Sequence, residues 1–121
     1  MIGKVIGIMF LSRDVAHKEH LKSRSYAQHE ALGGFYECVI TKADQLAEAY
    51  QGMGKLIDDI PYMENDREGT PEEILRRHML MIKKACGGSK KEEEYEGAVG
   101  NTLDEIEALY LSTLYKLKFL K

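Results

Sequence analysis

The sequence predicts an all-α protein: four helices forming one bundle, with a long connection between the second and the third. Three observations carry that prediction. Only two prolines interrupt 121 residues, and both fall where a helix would start or a loop would turn. Apolar residues recur at three- and four-residue steps, the period of an amphipathic helix. Two capping boxes, Thr70 with Glu73 and Thr102 with Glu105, mark helix starts.

The first segment covers residues 3–22. "KVIGIMF" would also suit a short strand, because four to seven apolar residues cannot separate the two states. "LSRDVAHKEHLK" lacks strand alternation and favours helix. The second segment, 25–52, opens with Ser25 as a cap. It carries Leu32, Phe35, Val39, Ala43, Leu46 and Tyr50 as one stripe. "QGMG" stops it with glycine, and "KLIDDIPYMENDREG" connects onward. The third helix starts at the Thr70 cap with Pro71 in its first turn and runs to about Ala85, where "CGG" ends it. "SKKEEEYEG" reads as a solvated helix end or loop. The last helix begins near Asn101 with the Thr102–Glu105 box, and Leu103, Ile106, Leu109, Tyr110, Leu114 and Leu117 form its core face. The whole chain, 1–121, reads as a single domain.

The 17 basic and 20 acidic residues leave a net charge of -3. This is not the footprint of a nucleic-acid binder, which needs clustered basic excess. The tail "YKLKFLK" alternates lysine with apolar residues and reads as a snorkelling helix end. Cys38 and Cys86 stand far apart with no CxxC, as small buried residues in a reducing compartment. The apolar start is too short to span a bilayer and has no small-residue cleavage site after it. A cytoplasmic protein with no membrane partner is the expectation.

The candidate chemistry lies in "AHKEHLKSRSYAQHE", which contains His17, His20 and His29, and in "ADQLAE", which contains Asp44 and Glu48. At ~100° per residue, Asp44 lies ~60° from His29 around the helix, but about 22 Å along it. One copy cannot bring both to one ion. Two antiparallel copies across a twofold axis could. Taken singly, each residue has a plainer reading. His17 and His20 suit a helix carboxyl end, His29 a first turn, and Asp44 and Glu48 an exposed pair of like charges. His78, in "LRRHMLMIKKA", reads as exposed or at the core edge. The methionines read as core filler. No GK[ST] phosphate loop and no partnered nucleophile stands out.

His17, His29 twelve residues on, and Asp44-x3-Glu48 together resemble the ferroxidase signature of Dps proteins, the mini-ferritins. "SYAQHEALGGFY" is similar to the stretch that opens that family's second helix, and "LDEIEALYLSTLYKLKFL" to its last helix. The resemblance implies a ferritin-like four-helix bundle and a homo-oligomer built through a twofold interface. It also implies iron, or a similar divalent metal, bound between subunits. His17 and His29 would come from one subunit and Asp44 and Glu48 from the other, with His20 as an extra ligand. It implies oxidation of Fe(II) by peroxide or oxygen. The alternative is a ferritin-like oligomer without activity, serving as an interaction or accessory protein.

Two departures bear on the choice. The family's acidic ligand four residues after the second histidine is Gly33 here, with Glu30 or Glu37 as substitutes, and its tryptophan after the first histidine is Lys18. Without a basic amino-terminal extension, the DNA coating of some mini-ferritins is not implied. The compact length also resembles ferritin-like accessory proteins of bacteriophages, which would act in the cytoplasm of an infected cell.

Overall fold

The computed structural model describes residues 2–64, 68–86, 95 and 97–121. It contains four helices, α1 (Ile2–Lys22), α2 (Tyr26–Gly52), α3 (Pro71–Ala85) and α4 (Gly97–Phe119), and no strand among the described residues. "KVIGIMF" is helical. Its continuous apolar run suits a helix enclosed on nearly every side, and Val5, Ile6, Ile8 and Met9 are all fully buried.

The neighbouring pairs are α1–α2, α2–α4, α1–α3 and α3–α4, so α1 and α4 occupy opposite corners. Val15 and Leu11 of α1 cluster with Ile74 of α3, while Ser12 meets His78 one turn further along. These pairings make α1 and α3 antiparallel. Lys42–Glu105 and Phe35–Tyr110 make α2 and α4 antiparallel in the same way. The predicted α2 stripe is the centre of the core: Leu32, Phe35, Val39, Ala43 and Leu46 are buried, and Tyr50 packs against them half-buried. Burial of each large member of the stripe contributes roughly 2 kcal/mol.

Helix starts follow the local signals in two cases and not in the third. Ser25 Oγ accepts from Gln28 N. At α3 the capping box is closed in both directions: Glu73 N donates to Thr70 Oγ1 at 3.2 Å and Thr70 N donates to Glu73 Oε1 at 2.9 Å. The second box does not form. Here α4 begins at Gly97, one turn before the expected start, because Val99 is fully buried and draws that turn into the core. Thr102 instead lies inside the helix and donates to Ala98 O, while Glu105 pairs with Lys42 of α2 at 2.8 Å. The "SKKEEEYEG" run lies mostly outside the described residues. Its Tyr95, expected to be solvated, is buried in the core.

The connection from α2 to α3 lies along α1. Gly54, with φ at +99°, turns the chain out of α2. Asp59 then passes over Gly3, Pro61 over Gly7, and Met63 over Leu11. The backbone carbonyls of Asp59 and Pro61 sit where side chains at positions 3 and 7 would project. Glycine at both positions therefore opens a groove that lets the connection approach the helix closely. Residues 59–63 climb α1 from Gly3 to Leu11, and α3 begins beside the carboxyl-terminal half of that helix, where Ile74 meets Val15.

Candidate functional site at the first interhelical turn

Only Ser23, Arg24 and Ser25 separate α1 from α2. Ser23 N donates to His20 O at 3.4 Å, and Ser23 Oγ donates to Ser25 O at 3.0 Å. This tight turn places His17 and His20, near the end of α1, against His29 and Tyr36 of α2. The rings of His20 and His29 stack with centroids 3.7 Å apart, and His17 stacks on Tyr36 at 4.1 Å. All four are half-buried.

Hydrogen bonds fix the two stacked rings reciprocally. His20 Nδ1 lies 2.7 Å from the carbonyl oxygen of His29, and His29 Nδ1 lies 2.9 Å from the carbonyl oxygen of His20. A carbonyl only accepts, so each Nδ1 carries the hydrogen, and in the neutral ring the lone pair is at Nε2. The His20 carbonyl belongs to the last turn of α1, which has no helical partner for it, so His29 caps that end of the helix.

The arrangement depends on Gly33. A Cβ there would stand 3.0 Å from His20 Cε1 and 3.1 Å from its Nδ1. The position that resembles a lost acidic ligand is, in this fold, the seat of the His20 ring. Glu30 and Glu37, the substitutes, are exposed on α2, and Lys18 pairs with Asp14 at 3.0 Å. Asp44 and Glu48 are exposed further along α2. Among the described residues, no three His, Cys, Asp or Glu side chains of one chain group closely enough to hold a metal ion. The turn thus gathers the three histidines, while Asp44 and Glu48 remain apart from them.

A second polar group lies in the core. Tyr110 of α4 reaches across the bundle and donates to Ser12 Oγ of α1 at 2.7 Å, and Ser12 Oγ bonds His78 Nδ1 of α3 at 2.8 Å. All three side chains are buried, so one hydroxyl joins three helices. Burial pushes the Tyr110 phenol well above its usual range, and the Ser12 bond offsets this in part. His78, expected at the surface or core edge, is fully buried. Its place in an amphipathic helix gave no sign of this, because the signal is a serine 66 residues away. Between α3 and α4 a cavity of about 100 Å³ is lined by Met79, Ile82, Cys86, Leu103 and Tyr110, among others. Burial raises the Cys86 thiol there, which disfavours the nucleophilic thiolate.

Fold and site together define a four-helix bundle protein with a histidine-wired first turn and a buried hydroxyl–imidazole link. The chain belongs to a family of unknown function, DUF5856, whose pattern matches residues 20–117 and so takes in His20, His29, the whole of α2 and α3 and all but the last two residues of α4. No curated protein and no solved structure matches it. No helix among the described residues is long and apolar enough to cross a membrane.

Proposed function

We propose that the chain is a ferritin-like bundle of the mini-ferritin type that binds a divalent metal, iron in the first instance, between two copies of itself. His17 and His29 of one copy would face Asp44 and Glu48 of the other, with His20 as a supporting imidazole. The observation that carries this reading is the state of His29: its Nδ1–H is held by a main-chain carbonyl, which orients the ring and leaves Nε2 for a metal. Metal-binding histidines are usually tethered in this way. The topology supports it too, with two antiparallel hairpins joined by a long connection that climbs along α1.

The donor set fits as two half-sites. One copy supplies imidazoles, and the exposed Asp44 and Glu48 of another supply the hard oxygen ligands that iron favours. The carboxylates would stabilise the ferric product of an oxidation by peroxide or oxygen, while the protein's part is to place the ligands. Anaerobic titration with Fe(II), followed by peroxide, tests the reading. It expects a ferric absorbance change that is lost in Asp44→Ala and in His29→Ala, from a protein that is at least dimeric. A strict monomer, or a response indifferent to Asp44→Ala, would sink it.

The second reading is an oligomeric interaction protein in which the histidines are structural. The mutual bonding of His20 and His29 favours it, because that bonding already gives both rings a role in holding α1 to α2. Loss of stability without loss of metal affinity in His29→Ala would select this reading.

A further inference from the structure

Two exposed apolar patches of opposite charge lie on opposite sides of the bundle. The first is on the connection along α1, where Leu56 is 79% exposed and Tyr62 fully exposed. Between residues 56 and 64 the charged side chains are Asp58, Asp59 and Glu64, with Lys55 before them and Lys4 of α1 beside them, which leaves the patch acidic by one charge. The second is the outer face of the α4 end. Leu111, Tyr115 and Phe119, at steps of four, form a stripe there, with Tyr115 56% and Phe119 64% exposed. From residue 108 to the last residue the only charges are Lys116, Lys118 and Lys121. The Tyr115 and Phe119 rings lie 5.9 Å apart and Lys118 Nζ is 5.5 Å from the Phe119 centroid, so the stripe is one continuous aromatic and cationic surface.

We infer that these two patches bind each other between copies of this chain, the acidic connection of one copy seating on the basic α4 end of the next. Three carboxylates meet three ammonium groups around apolar centres, the pattern of a steered interface. The two patches cannot meet within one chain, because the connection lies outside α1 and α4 occupies the opposite corner. A twofold pairing of either patch with itself would set like charges face to face. The contact is therefore heterologous, and repeats into a ring or an open chain. It is separate from the twofold contact proposed above and does not depend on metal.

The test uses the full chain and two variants, each broken on one side. Tyr115→Glu/Phe119→Glu removes the α4 patch, and Asp58→Lys/Tyr62→Lys removes the acidic one. Every substituted side chain is exposed, and circular dichroism checks the fold. Sedimentation of the wild-type chain should show mass rising with concentration and falling between 50 and 500 mM salt, roughly the range over which screening shortens from beyond 10 Å to a few ångströms. Neither variant alone should show this. Mixed, they should show a salt-sensitive association at least ten times tighter than any that either shows alone, because each retains the half that the other lacks.

If a variant does not fold, charge reversal serves instead. Lys116→Glu/Lys118→Glu and Asp58→Lys/Asp59→Lys should each abolish the salt-sensitive assembly beyond the twofold pair, and their combination in one chain should restore it. A mass independent of both patches, or a mixture no tighter than its components, overturns the inference. So does binding of phosphatidylserine vesicles through the α4 patch without self-assembly, which would make a lipid surface its occupant.

Discussion

Gly33→Ala isolates the reason for glycine beneath the His20 ring. In an ordinary helix interior the change stabilises by about 1 kcal/mol, since alanine is the better helix former. Here the added Cβ meets His20 Cε1 at 3.0 Å, and the ring cannot retreat freely. It is held at 2.7 Å by the His29 carbonyl and stacked at 3.7 Å on the His29 ring. Moving it strains two reciprocal hydrogen bonds, each contributing about 1 kcal/mol.

The gain and the loss should therefore nearly cancel in the wild-type background, or the loss should exceed the gain by up to about 1 kcal/mol. In a His20→Ala background there is no ring to displace, and Gly33→Ala should recover its full gain of about 1 kcal/mol. A double-mutant cycle by urea unfolding measures the difference, with an expected coupling of about 1–2 kcal/mol. If Gly33→Ala stabilises both backgrounds equally, the His20 ring does not require this glycine and the reasoning fails.

Three further outcomes follow from the packing. Ser12→Ala strips Tyr110 and His78 of their shared hydroxyl and should cost about 2–3 kcal/mol in urea unfolding, more than Tyr110→Phe, which leaves the Ser12–His78 bond in place. Because the folded phenol of Tyr110 is raised above its value of 10 in the unfolded chain, its contribution is complete below about pH 10 and is lost as pH rises toward the folded value. Unfolding measured from pH 9 to 12 should show that fall, and Tyr110→Phe should reduce it. Gly7→Ala places a Cβ 2.6 Å from the Pro61 carbonyl oxygen, and should destabilise by about 1–3 kcal/mol while speeding proteolysis within the connection.

What could be read in the sequence was what local chemistry decides. The Ser25 cap and the Thr70–Glu73 box depend on residues three apart, and the α2 stripe on one helix period, so each was visible without its partners. The Thr102–Glu105 pair carried the same local mark and failed, because burial of Val99 outweighed a cap worth about 1 kcal/mol. The three histidines were correctly placed around a tight turn. Their mutual bonding, and the function of Gly33 as a seat, depended on how α1 meets α2. Gly3 and Gly7 carry no local sign of the connection that covers them. Their role depends on residues more than fifty positions away, a distance no periodicity can bridge.

That groove also settles a choice of hand. A chain leaving the end of α2 could climb back beside either α1 or α2, and the two routes lead to bundles of opposite winding. On one, the third helix borders α1; on the other, it borders α2 and the fourth helix changes corners with it. Gly3 and Gly7 stand one turn apart on α1 beneath the connection, whereas Gly33 and Gly34 of α2 stand side by side and the first already seats the His20 ring, so the route along α1 is the closer one. Two glycines thus favour the arrangement in which α3 borders α1.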